Sequence, residues 1–201
     1  GIWSSSAAQH SQSLEAWFAH IPGLVVVAPS TPADNHGLLL AALASGDPVV
    51  YMEHKELWGT PGAVTSGDVV PLGKARVARA GSDLTIVSWS RQMQACEQAA
   101  EQLAAQGVQA ELIDLRTIWP WDKDAVLQSV AKTGRLLVVH EAIRVAGFGA
   151  EIAATVAEET GAKVARLGAP RIPVGYAPTL EAEARVSAAH ISAAAQKLVA
   201  P

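Results

Sequence analysis

The chain has 201 residues, half of them hydrophobic and 17% charged, a composition that excludes a largely disordered chain and allows a sizeable core. Fifteen Lys and Arg against 19 Asp and Glu give a formal net charge of -4 with no clustered basic stripe, so no nucleic-acid partner is expected. The longest apolar run, 38–44, is far shorter than the roughly 20 residues that cross a bilayer, and no membrane association is expected either.

In chain order, Leu14, Trp17, Phe18 and Ile21 fall at helical spacing, and Pro22-Gly23 closes that short helix. The valine-rich run 24–28 suits a strand buried on both faces. Ser30-Thr31-Pro32 supplies an N-cap and a first-turn proline for a helix over 33–44, which Gly46-Asp47-Pro48 ends. A second buried strand at 49–52 completes a βαβ crossover. Over 53–82 the periodicity gives way to scattered Gly and Pro, which predicts a linker. Alternation then resumes with a strand at 84–88, a helix at 91–106 and a strand at 108–115. A helix follows that is capped by Asp122 and ended by Gly134. A strand at 135–140, a helix at 149–160 closed by Gly161, a strand at 163–167 and an Ala-rich helix over 187–199 complete the pattern. The fold class is therefore α/β, three-layer, with mostly parallel sheets flanked by helices. It divides into a partial first domain at 1–55, a linker at 56–82 and a complete domain at 83–201, because two strands and one crossover cannot cover both faces of a sheet. Cys96, the lone cysteine, reads as a buried small hydrophobe in a reducing compartment, the cytoplasm by default, and no secretory signal opens the chain.

No P-loop, GxSxG elbow, CxxC or HExxH is present, and no residue marks a Ser triad. Gly147-Phe148-Gly149 before a helix reads as a phosphate cradle or as a tight structural turn. His140-Glu141 stands at the carboxyl end of a strand, where open α/β sheets gather ligands, or serves as a polar cap for the loop. His10, beside Gln9, Ser11 and Gln12, reads as a general acid or base in a wet polar setting, or as the cap of the helix that follows. His20, His36, His54 and His190 have no spacing that suggests a metal site.

The run His10-Ser11-Gln12-Ser13-Leu14-Glu15-Ala16-Trp17-Phe18-Ala19-His20-Ile21-Pro22-Gly23 resembles the β subunit of the E1 component of 2-oxo acid dehydrogenase complexes, a transketolase-like family. The likeness continues through Asp47-Pro48-Val49, Glu53-His54-Lys55 and Pro71-Leu72-Gly73-Lys74-Ala75. It resumes in Ile113-Asp114-Leu115-Arg116-Thr117, Pro120-Trp121-Asp122, Lys132-Thr133-Gly134-Arg135, His140-Glu141-Ala142 and Gly147-Phe148-Gly149-Ala150-Glu151-Ile152. The resemblance implies a thiamine diphosphate enzyme in which an E1 α subunit and this β chain share each active site as an α2β2 heterotetramer, with a second β subunit as neighbour. The activating glutamate belongs to a segment that precedes Gly1, and the diphosphate and magnesium belong to the α chain. His10 is the one catalytic residue carried over, assisting protonation when the acyl group passes to lipoamide. In some members a potassium ion binds at the turn after the helix over 33–44, which places its ligands at the carbonyls of Ala42 and Ser45 and an oxygen of Asp47. An E2 lipoyl acyltransferase is a further implied partner, although the segment after Glu159 is shorter than the family pattern and lacks the acidic residue that some members use for docking. Arg171, Gly175 and Trp58 also depart from that pattern.

The implied compartment is the bacterial cytoplasm or the mitochondrial matrix, and the implied reaction is oxidative decarboxylation of pyruvate or a branched-chain 2-oxo acid. The isolated 201-residue chain is expected to be inactive alone. An acetoin dehydrogenase β chain and a non-catalytic assembly module are the alternatives.

Overall fold

In a computed structural model that describes residues 1–200, the chain forms two sheets flanked by helices. The elements in order are α1 (Ala7–His10), α2 (Glu15–Ala19), β1 (Val25–Val27), α3 (Pro32–Ala44), β2 (Val49–Tyr51), a 3-10 turn (Lys55–Leu57), β3 (Arg76–Arg79), β4 (Leu84–Ser88) and α4 (Gln92–Ala104). They continue with β5 (Ala110–Asp114), β6 (Thr117–Trp119), α5 (Lys123–Thr133), β7 (Arg135–Ile143), α6 (Gly149–Thr160), β8 (Lys163–Ala169), α7 (Pro178–Glu183) and α8 (Ala188–Val199).

The larger sheet has the order β3-β5-β4-β7-β8 and the smaller one β2-β1-β6. All neighbours are parallel except β3 against β5 and β6 against β1. On one face of the larger sheet, Met93, Cys96, Ala100 and Leu103 of α4 and Ile191, Ala195 and Leu198 of α8 pack on Leu84, Ile86, Leu137 and Val139. The opposite face packs Val126 and Val130 of α5 and Ile152 and Val156 of α6 on Val87, Ile113, Leu136 and Val138, and that core continues into Val26, Ala28 and Ile118 of the smaller sheet. The predicted three layers are therefore present, and β4, β5 and β7 are buried on both faces because both are covered.

Local signals explain the helix ends. Thr31 accepts the Asp34 N–H and Asp122 the Ala125 N–H, while Gly134 and Gly161 close α5 and α6 in left-handed geometry at φ 68° and 66°.

Four elements differ from expectation. The stretch read as linker contains β3, an edge strand whose Arg-Val-Ala-Arg pattern is too polar to stand out from its Gly- and Pro-rich surroundings. Thr117–Trp119, read as part of no strand, leaves the larger sheet after the left-handed Arg116 and joins β1 of the smaller one. The first predicted helix shortens to Glu15–Ala19, preceded by α1, and its face turns: Glu15 is buried while Trp17 is 69% exposed. The short α7 carried no periodicity to read.

The two sheets are locked by buried charge. Asp34 receives the Arg116 guanidinium at 3.0 Å, and Asp114 receives Arg76 at 3.0 Å and the Ser30 hydroxyl.

Candidate active site

Strands β2, β4 and β7 are parallel within their sheets, and the residues that follow their carboxyl ends meet where the two sheets adjoin. Met52, Glu53 and His54 after β2, Trp89 to Gln92 after β4, and Glu141 near the end of β7 surround a cleft of about 280 Å³, closed on another side by Gln12 to Glu15. Ligands in open α/β sheets gather at such carboxyl ends.

The floor is built around Glu141. Its carboxylate lies 3.1 Å from His54 Nε2 through each oxygen and accepts the Ile2 N–H at 2.7 Å and the Ser13 hydroxyl at 3.1 Å. Burial alone would raise its pKa, but the bond and charge of His54 and the Ile2 N–H outweigh burial and hold the carboxyl at about 2. Glu15 is the opposite case. Trp89 Nε1–H donates to its Oε1 at 3.3 Å, its Oε2 has no partner, and burial pushes its carboxyl up. Glu141 and Glu15, two of the acids lining this cleft, are thus held in different protonation tendencies by their surroundings.

Behind the cleft, Trp89 stacks on His140 with centroids 5.4 Å apart and planes at 22°. His140 is fully buried, and burial drives its pKa down to about 4, so the ring is neutral at ordinary pH. Its Nδ1–H donates to the Ala142 carbonyl at 2.9 Å. A Cβ at Gly147 would lie 2.7 Å from its Cε1, at Gly149 2.6 Å from its Cδ2, and at Gly168 2.6 Å from its Cε1. These glycines therefore admit the imidazole, and Gly147-Phe148-Gly149 packs on a side chain as a tight turn does.

His10 does not lead a helix. It is the last residue of α1, exposed, and α2 begins at Glu15 with Leu14 as its N-cap residue, which removes the capping alternative. Its carbonyl accepts the Lys55 ammonium at 2.5 Å, which ties it to the segment lining the cleft. A wet imidazole on a tethered backbone can take or give a proton.

Ala42, Ser45 and Asp47 lie together at the end of α3. The Ser45 N–H donates to the Ala42 carbonyl at 3.2 Å, and the Asp47 N–H donates to Ser45 Oγ at 3.2 Å. All-oxygen donors at the negative end of a helix dipole fit a hard monovalent cation. Among the described residues no three His, Cys, Asp or Glu side chains converge to hold a metal ion. Among the described residues no helix is long and apolar enough to cross a membrane.

The sequence did not reveal Glu15 or Ser13 as participants. The available signal was a glutamate, Glu15, inside an otherwise apolar helical face.

Residues 73–191 match the family described as transketolase, C-terminal domain, and residues 1–60 match the transketolase pyrimidine binding domain. The chain is 45% identical over 98% of its length to an acetoin:2,6-dichlorophenolindophenol oxidoreductase subunit beta of Cupriavidus necator, covering 60% of that protein. It is 44% identical over 98% of its length to a mitochondrial pyruvate dehydrogenase E1 component subunit beta of Caenorhabditis elegans, covering 59% of it. A 2-oxoisovalerate dehydrogenase subunit beta of Bacillus subtilis is 41% identical over 96% of the chain, which covers 61% of it. The chain thus spans 59–61% of the length of these relatives. A solved structure described as a split gene transketolase, inactive beta4 tetramer, superposes with a TM-score of 0.83 at 24% identity over 96% of the chain and 63% of that structure's chain, a likeness of fold.

Proposed function

Because the chain belongs to the transketolase family, joining a pyrimidine-binding segment to a C-terminal domain, we propose that it serves as the β-subunit part of a thiamine diphosphate-dependent 2-oxo acid dehydrogenase E1 component. The observation that carries this reading is identity of 44% and 41% along 98% and 96% of the chain to proteins named as β subunits of pyruvate and 2-oxoisovalerate dehydrogenases. The substrate is pyruvate or a branched-chain 2-oxo acid. The relative named for acetoin, at 45% identity, favours acetoin as the alternative substrate.

Thiamine diphosphate, when bound, supplies the carbon centre that accepts the electron pair released on decarboxylation. This chain's part is to hold and move a proton. His10 presents an exposed imidazole whose backbone is held by Lys55, and its role is to protonate the leaving sulfur when the acyl group passes to lipoamide. The metal and diphosphate belong to an α-chain partner, a second β chain completes the assembly, and an E2 acyltransferase receives the acyl group. A potassium ion would be held by the carbonyls of Ala42 and Ser45 and an oxygen of Asp47, the all-oxygen set a hard cation prefers. The compartment is the bacterial cytoplasm or the mitochondrial matrix.

The test is His10→Ala in the full-length β chain assembled with its α partner. Acyl transfer to a free lipoyl domain is expected to fall by about 10²- to 10⁴-fold, the usual range for a lost general acid, while decarboxylation read with an artificial electron acceptor falls less. Equal losses in both assays would refute the role. Activity with pyruvate, a branched-chain 2-oxo acid and acetoin in parallel identifies the substrate.

A further inference from the structure

The segment that carries His10 holds a backbone conformation that its residues do not favour. Ser4, Ser5 and Ala7 have φ of 44°, 53° and 58°, three non-glycine residues within four positions in the left-handed region that L side chains avoid. Such geometry persists only where neighbouring structure over-determines it, and it concentrates at functional sites.

The tethers come from remote parts of the chain. Glu141 accepts the Ile2 N–H ahead of the left-handed stretch and the Ser13 hydroxyl beyond His10, so one carboxylate grips both flanks of the segment. Glu181 of α7 accepts the Ser5 N–H at 2.6 Å, and Lys55 donates to the His10 carbonyl itself. The tethers are braced in turn. His54 pairs with Glu141, and Arg185 binds Glu181 at 2.8 Å and Glu56 at 2.7 Å, where Arg91 joins at 2.9 Å. Side-chain exposure of Glu141 is 10%, so its bonds are little contested by water.

We propose that Glu141 is a positioning residue for His10: a carboxylate from the C-terminal body that clamps residues 2–13 and so fixes where the imidazole is presented. Glu181 and Lys55 hold the middle of the same segment. The inference rests on the proposed role of His10 in acyl transfer, and it assigns the His140-Glu141 pair a division of labour, with His140 stacked inward and Glu141 gripping the segment outside.

The experiment uses the full-length α/β enzyme with Glu141→Gln, which keeps the volume but replaces an acceptor oxygen with an NH₂ group facing existing donors. Amide hydrogen exchange over residues 2–13 is expected to quicken about tenfold, the equivalent of one net hydrogen bond. Acyl transfer is expected to fall by about 10²-fold, the size of effect a displacement near 1 Å produces, and by more than decarboxylation does. Combined with His10→Ala, the substitution is expected to cost acyl transfer no more than His10→Ala alone, because both act through one group. Glu141→Asp, which keeps charge and acceptors, is expected to recover part of the loss and carries the same measurements if the Gln variant does not fold. Unchanged exchange over 2–13, or additive losses in the double variant, would overturn the clamp. If His10→Ala proves unselective, the proposed role of His10 fails, and exchange in Glu141→Gln still decides the clamp.

Discussion

His140 illustrates how a single residue dictates its surroundings. Its ring fills a slot made by three glycines and a tryptophan face, and the slot has no slack, because a methyl group at Gly149 would press on two ring atoms at 2.6 and 2.8 Å. Gly149→Ala is expected to cost about 1–3 kcal/mol, the range for overpacking a core that cannot shift, measured by urea unfolding. The same burial gives a pH signature. The folded pKa of His140, about 4, lies below its ordinary 6.5, so between those values the unfolded chain binds the proton that the folded chain refuses. The contribution is fully present above pH 6.5 and is lost as pH falls towards 4, by up to about 3 kcal/mol. His140→Gln is expected to flatten the stability profile across that window, and an unchanged slope would mean that other groups set the acid limit.

At the scale of elements, the ends of α5 do more than stop a helix. Asp122 caps the Ala125 N–H and with its other oxygen accepts the Ala75 N–H at 3.0 Å, joining the helix start to the approach to β3. Asp122→Ala is expected to cost about 2 kcal/mol, the upper part of the capping range, because a second N–H is orphaned with the first; thermal unfolding measures it. These caps were legible in the sequence because Asp122, Gly134 and Gly161 act on their immediate neighbours. So were β4, β5 and β7, which are buried because both sheet faces are covered, and the half-buried edge strand β8. What was illegible depends on partners far along the chain. Thr117–Trp119 is too short to carry a period and becomes a strand only beside β1. Glu15 sits inside because Trp89, 74 residues away, offers it an N–H, while Trp17 of the same helix is turned outward. His54 and Glu141 are separated by 87 residues, and each alone was a polar residue at the end of a strand. His10 was legible as an imidazole in polar company, but the segment clamping it was not, since Ser4, Ser5 and Ala7 give no sign of the left-handed backbone they adopt.

At the scale of the molecule, the two sheets behave as one body because their seam is both apolar and ionic. Arg116, itself at φ 59°, donates to Asp34 and to the Lys74 and Ala75 carbonyls, so a turn of the larger sheet reaches the start of α3. Arg116→Ala is expected to cost about 3 kcal/mol, since it leaves the nearly buried Asp34 short of its closest cation. Tryptophan fluorescence and circular dichroism are expected to report one coincident transition in the parent chain, and a loss below 1 kcal/mol would show that apolar contact alone holds the seam. The borrowed strand β6 bears on how the protein is made. On the ribosome a chain emerges at about 5–20 residues per second and its leading part folds first. Here Val25–Val27 meets β2 early, whereas its antiparallel partner Thr117–Trp119 leaves the tunnel about 70 residues later. Until those residues arrive the β1–β6 pair cannot form, so the order of synthesis makes this antiparallel contact a late event that joins a strand from beyond the larger sheet's first three strands to one made long before it.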